Sequence, residues 1–337
     1  MLPRAAGFLM MTVLLANARD RVIVDSDSGI GDDGAALIML LRSPALVDVA
    51  GITLVPGNVW PGQGAADMFR ILDALGRSQP PMYSGAEAPL VHTAGMAAEQ
   101  SRRWGKLQFT GAFADKPQPS TGRQARPGAV EFIISEIESH PGEITVLAIG
   151  PMTNLALALR LKPSIESKIK RVVFMGGNVK VPGNVSAAAE FNFWFDPEAA
   201  RIVLRSRIPQ KVMFGLDICN QAPIRKPQFD ELTAVRTPIT EILRDDMGNR
   251  FPGFLKNPSA TSSMWDTLAA AYLIDPAFVT RSETMHLDVD ATWGRSYGAV
   301  IPLNRQFAPE ATAVTVALGL DLKRVWSLTR DLLIRKE

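Results

Sequence analysis

Four aspartates and two glycines fall within the run Val22-Ile-Val-Asp-Ser-Asp-Ser-Gly-Ile-Gly-Asp-Asp33, directly after an apolar strand. Carboxylates this close repel one another, so a fold that gathers Asp25, Asp27, Asp32 and Asp33 calls for a cation among them. Gly29 and Gly31 let the backbone turn sharply and approach a ligand. A helix expected from Asp32 through Leu41 adds a positive dipole end at the same place. The first expectation is an acidic metal site at the carboxyl end of a strand. Turn chemistry and a simple Asp32 helix cap are the plainer readings of the same residues. A helix–loop–helix calcium loop is excluded by spacing, because counting from Asp25 puts Ile30 in the glycine slot and Ala36 in the closing glutamate slot.

Further polar groups recur where strands should end. Asn58 follows the apolar run Val47–Leu54, and Ile149-Gly-Pro-Met-Thr-Asn154 follows Ile144–Ala148. The run Arg171–Met175 leads into Gly176-Gly-Asn178, then Asn184 and Glu190-Phe-Asn192. Trp265-Asp266 opens an alanine-rich helix. Amides, carboxylates and an aromatic on one sheet edge suit recognition of a polyhydroxylated ring.

The elements that must position them alternate. Buried strands are expected at Val22–Val24, Val47–Leu54, Ile144–Ala148, Arg171–Met175 and Lys211–Leu216. Helices are expected at Ala65–Leu75, Ala129–Ser139, Thr153–Leu161 and Asp196–Arg205. The pattern predicts an α/β fold, an open, mostly parallel Rossmann-like sheet with helices on both faces, whose ligands sit beyond the carboxyl ends of the strands. Ala86–Pro127 reads as a long surface excursion, and Arg225–Ser263 as a polar helical one. No repeat or linker divides the chain, so residues 19–337 read as one domain.

With 337 residues, 47% of them hydrophobic, the chain can bury a large core. A net charge of +2 without a basic run excludes a nucleic-acid footprint. Arg4, the apolar stretch Gly7–Leu15 and Ala16-Asn17-Ala18 form a signal-peptide pattern over residues 1–18, too short to span a bilayer. Export to a periplasm or the exterior is expected, with no membrane anchor in the mature form; an uncleaved, buried first element and a cytoplasmic protein is the alternative. The single Cys219 forms no intramolecular disulfide and reads as core. His92, His140 and His286 lie outside every motif and read as solvated loop or capping residues. Trp104 reads as a loop residue and Trp194 as packing.

These motifs, in this order, resemble the calcium-dependent nucleoside hydrolases. The family's Asp-x-Asp-Pro-Gly-x-Asp-Asp is met by Asp25 to Asp33, with Ser28 in place of proline and one extra residue before Asp32. Gly57-Asn58, Gly150-Pro-Met-Thr-Asn154 and Glu190-Phe-Asn192…Asp196-Pro-Glu-Ala199 follow in family order, and the likeness runs from about Val22 to the C-terminus. Where many members carry His-Asp, this chain has Trp265-Asp266, as in the purine-preferring branch.

The resemblance implies the nucleoside hydrolase fold and hydrolysis of the N-glycosidic bond of ribonucleosides. It implies Ca2+ held by Asp27, Asp33, Asp266 and the Ile149 carbonyl, with Asp27 as general base on a water and Asn58 beside it. Asp32, Asn184, Glu190 and Asn192 would hold the ribose, and Trp265 would stack on the base, with Trp60 as a second wall. Members are commonly homodimers or homotetramers. Three other readings stay open: a pyrimidine or broad-range hydrolase, a non-catalytic exported nucleoside binder, and an aspartyl-phosphate phosphotransferase using Asp25 or Asp27.

Overall fold

The computed structural model describes residues 19–115 and 122–336, so the expected export segment at residues 1–18 lies outside them. Twelve strands run through the described chain: β1 Asp20–Ser26, β2 Val47–Leu54, β3 Met82–Ser84, β4 Arg126–Pro127, β5 Ile144–Ala148, β6 Arg171–Met175, β7 Lys211–Phe214, β8 Pro223–Ile224, β9 Ser262–Ser263, β10 Val279–Val289, β11 Val300–Pro302 and β12 Ala313–Leu320. Ten of them form one sheet in the order β11-β10-β12-β7-β6-β5-β1-β2-β3-β4, while β8 and β9 make a small antiparallel pair. Pairing is parallel from β4 across to β12, and β10 runs antiparallel to both β12 and β11.

Strand β1 sits in the middle because both its faces are apolar. Val22 and Val24 join the core under helices Ala35–Leu41 and Asp266–Ile274, while Ile23 joins the opposite core with Ile133, Val146 and Leu155. A strand buried on both sides reads as continuous hydrophobicity, as it does here. The chain leaves β1 toward β2 on one side and later returns to place β5 on the other. The loops after β1 and β5 therefore diverge at a topological switch point, where a crevice opens at the carboxyl edge.

The helices at Ala129–Ser139 and Thr153–Leu161 match expectation, and that at Pro61–Ala74 starts earlier, with Pro61 preset for a first turn. The seventh strand stops at Phe214, because Leu216–Cys219 already turns as a short helix; Cys219 is buried. The two excursions carry order of their own, helix Ala94–Trp104 in the first and helices Lys226–Thr233 and Pro238–Asp245 in the second. Trp104 thus ends a helix. Beyond Pro276 the periodicity gives no expectation; there the chain adds β10, β11, β12 and helix Leu322–Ile334. Among the described residues no helix is long and apolar enough to cross a membrane.

Candidate active site

The loop after β1 is where the extra residue goes. Ile30–Gly34 forms a single wide turn with i→i+5 character, and Gly31 inside it has non-helical backbone (φ 4°, ψ −125°). One inserted residue is accommodated this way without breaking the following helix, Ala35–Leu41. The helix expected from Asp32 therefore starts as a kinked turn.

Asp25 is fully buried and ties β1 to β2 and to the helix Thr153–Leu161: Thr53 Oγ1 donates to its Oδ1 at 2.6 Å and Asn154 Nδ2 at 2.8 Å. Among the described residues its Oδ2 has no partner, and burial pushes its carboxyl up to about 6. With Oδ1 spent on Thr53 and Asn154, Asp25 braces the end of β1.

Asp27 sits between two glycines. A Cβ on Gly57 would lie 2.1 Å from Asp27 Oδ2, and one on Gly150 would lie 2.7 Å from Asp27 Cβ. Both neighbours must lack a side chain for the carboxylate to fit. Asn58 donates its backbone N–H to Asp27 Oδ2 (2.7 Å) and its Nδ2 to Asp27 Oδ1 (3.2 Å). The same Nδ2 reaches Asp33 Oδ2 at 3.3 Å, and Ser26 Oγ donates to Asp33 Oδ1 at 2.5 Å. Burial, reinforced by the neighbouring Asp33 charge, holds Asp27 well above the usual carboxylate range. Burial likewise pushes Asp33 up to about 7.

Asp32 is spent differently. It accepts the backbone N–H groups of Trp265 (2.7 Å), Asp266 and Thr267 (3.1 Å), and the Thr267 hydroxyl (2.9 Å). It is a helix cap, yet for the helix Asp266–Ile274 and not for its own. Asp266, first residue of that helix, is buried, and its carboxylate accepts no hydrogen bond among the described residues. Burial, then the charges of Asp33, Asp32 and Asp27, raise it well above its ordinary value. The Ile149 backbone, beside Gly150 at the end of β5, donates to the Asp25 carbonyl at 2.8 Å.

Across the edge, Glu190 accepts Gly177 N–H (2.7 Å), Asn192 N–H (2.9 Å) and Phe193 N–H (3.2 Å), and burial pushes it up to about 7. Asn192 Nδ2 donates to the Met175 carbonyl at 3.0 Å, and exposed Asn184 accepts Phe191 N–H at 3.0 Å. Trp265 is half-buried, and exposed Phe251 lies nearly parallel to it (6.3 Å, 23°). Trp60 meets Phe113 edge-on and donates its indole N–H to the Asp115 carbonyl at 2.9 Å.

The histidines correct two expectations: His286, half-buried, lies inside strand β10 rather than in a loop or cap. His92 is not a solvated residue: it is buried among Phe113, Trp194, Trp293 and Tyr297, and burial lowers it to about 4. The packing expected of Trp194 supplies part of that wall.

The sequence as a whole matches the family model described as inosine-uridine preferring nucleoside hydrolase over residues 22–327. The chain belongs to this family. As a nucleoside hydrolase it is a glycosidase acting on N-ribosyl bonds, and the family uses a metal ion. The pyrimidine-specific ribonucleoside hydrolase RihB of Escherichia coli (strain SE11) is 30% identical over 312 residues, 92% of this chain and 96% of that protein. The purine-preferring ribonucleoside hydrolase from Gardnerella vaginalis superposes with a TM-score of 0.78 at 28% identity, covering 94% of this chain and 98% of that one. An inosine-guanosine nucleoside hydrolase gives 0.76 at 26%, covering 95% and 100%.

The donor chemistry of this nucleoside hydrolase suits an oxygen-seeking cation. Asp27, Asp33 and Asp266 are all buried and raised by that burial, Asp27 further by the Asp33 charge and Asp266 by those of Asp33, Asp32 and Asp27, and among the described residues none of them forms an ion pair. Yet among those residues no three His, Cys, Asp or Glu side chains stand close enough to enclose an ion as they are placed. The charge that attracts a cation is present; the closed shell is not. The bridging role of Thr53 and the contacts of Phe251 have no local signature, since a strand threonine and a loop phenylalanine are ordinary residues; Asn154, by contrast, closes a motif that follows a strand.

Proposed function

We propose that this chain hydrolyses the N-glycosidic bond of purine ribonucleosides, releasing free base and ribose. The observation that carries the reading is the pairing of Trp265 with Asp266 at a helix start that Asp32 caps, which sets an aromatic face beside the buried carboxylates. Asp27, Asp33, Asp266 and the Ile149 carbonyl would hold the cation, and Ca2+ fits an all-oxygen donor set. When bound, such a cation grips vicinal hydroxyls and makes a water easier to deprotonate.

This chain's own residues do the rest. Asp27, its carboxylate aimed by the two Asn58 donors, takes the proton from the attacking water as the new C–O bond forms at the anomeric carbon and the C–N bond breaks. Glu190, Asn192, Asn184 and Asp32 face the sugar, and Asp32 must exchange part of its helix cap to do so. Trp265 stacks on the departing base and favours its release. Trp60 would close the far side of the cleft.

A pyrimidine preference is the second reading, favoured by the likeness to RihB. We further infer export, a small-molecule nucleoside substrate and a homodimer or homotetramer. Ribose release from inosine, adenosine, guanosine, uridine and cytidine, with and without a calcium chelator, tests the reading. Chelator-sensitive release from purines supports it, and Trp265→Ala should then lower purine kcat/KM about tenfold. Release mainly from uridine moves the specificity to pyrimidines. No release while Ca2+ still binds leaves a nucleoside binder.

A further inference from the structure

The turn Asp246–Arg250, which follows the helical part of the second excursion, reaches the acidic loop at one point. Asp246 Oδ2 accepts the Gly31 backbone N–H at 2.8 Å, across 215 residues of sequence. Gly31 is the residue where the acidic loop departs from helical backbone, so its N–H lies at the kink made by the extra residue. A donor at such a kink, half-buried, is costly to leave without an acceptor. The acceptor is a charged group that is itself only 8% exposed, set among Asp67, Asp245 and Arg250. Arg70 of helix Pro61–Ala74 meets Asp245, the last residue of the helix before the turn, at 3.5 Å on the surface. The next residue beyond the turn is Phe251, stacked on Trp265. One short segment thus holds the acidic loop at one end and the aromatic ring at the other.

We propose that Asp246 is a positioning residue: by holding Gly31 it fixes how Asp32 and Asp33 leave the loop, and so couples the second excursion to the acidic site. Asp32 and Asp33 follow Gly31 directly. Releasing the N–H lets the kink relax, and Asp33 then loses its register with Ser26 and Asn58. The consequence for cation affinity rests on the functional reading above; the consequence for the loop backbone does not.

The test is amide hydrogen exchange by mass spectrometry on the full chain, reading the segment spanning residues 28–34, with Ca2+ titration calorimetry beside it. In Asp246→Ala the loop should exchange roughly ten times faster or more, while β5 and β6 stay as in the wild type, and the Ca2+ dissociation constant should rise by a similar factor. Asp246→Asn keeps an oxygen acceptor without the charge and should fall between the two. A merely structural role would instead speed exchange throughout the sheet. Loop exchange within twofold of the wild type in Asp246→Ala overturns the proposal. If that variant does not fold, wild-type exchange in Asp246→Asn overturns it. A wild-type protein that cleaves no nucleoside would sink the functional reading, and the exchange comparison would still decide Asp246.

Discussion

The Asp32 carboxylate caps the helix that begins at Asp266, accepting the Asp266 backbone N–H from 234 residues away. The helix that presents Trp265 and Asp266 is therefore seated by the acidic loop itself. Asp32→Ala removes four hydrogen bonds from that helix start and should destabilise the protein by about 1–2 kcal/mol in urea unfolding. Purine KM should rise in the same variant, because Trp265 loses its seat. An Asp32→Ala protein of unchanged stability would show that the cap contributes nothing.

Gly57 is the sharper test of the space around Asp27. Gly57→Ala places a methyl 2.1 Å from Asp27 Oδ2, so the carboxylate must move. Displacing a reacting group by an ångström costs on the order of a hundredfold in rate. Ribose release should fall by about that factor while the far-UV circular dichroism keeps its wild-type shape. Activity within threefold of the wild type would mean that Asp27 does not act where it stands.

Asp27→Asn removes the base and keeps the shape. A positioned general base contributes typically 10²–10⁴-fold, so kcat should drop by roughly that amount. Steady-state kinetics with saturating Ca2+ separates this from lost cation affinity. A kcat that survives would move the base role elsewhere.

Glu190 predicts a pH dependence of stability. Burial raises its carboxyl from 4.5 to about 7, so in that window the folded state keeps a proton that the unfolded chain has released. Stability from this group is full below about 4.5 and is lost as pH rises toward 7. Glu190→Gln does not titrate and should flatten that part of the curve in metal-free urea melts. A slope identical to the wild type would assign it to other carboxylates.

Cation binding should reverse the self-repulsion of Asp27, Asp33 and Asp266. At a Ca2+ concentration a hundred times its dissociation constant, mass action adds about 2.7 kcal/mol, visible as a higher Tm that a chelator abolishes. Asp266→Asn should shrink the shift, since it removes one of the repelling charges. A Tm indifferent to Ca2+ would argue for a different metal ion.

Much of the architecture is legible in local pattern. Strands β2, β5 and β6 and the helices Ala129–Ser139 and Thr153–Leu161 follow from periodicity, because burial on one or both faces stamps a period into a few residues. Glycines flanking Asp27 are legible too, as Gly57 and Gly150 stand inside ordered motifs. The antiparallel edge is not, since β10 is mostly solvent-facing along its first half and carries no continuous apolar run.

By itself the sequence determined which acids crowd one turn, which amides follow which strands, and the family to which that order belongs. Tertiary structure alone decided what each acid touches. It turned Asp32 toward a helix 234 residues away, set Asp246 on Gly31 across 215 residues, and enclosed His92 in aromatic rings. Periodicity records only which face of an element is buried. Which partner fills a buried acceptor depends on how distant elements pack, and the inserted residue in the acidic loop is resolved only when that packing supplies an acceptor for Gly31.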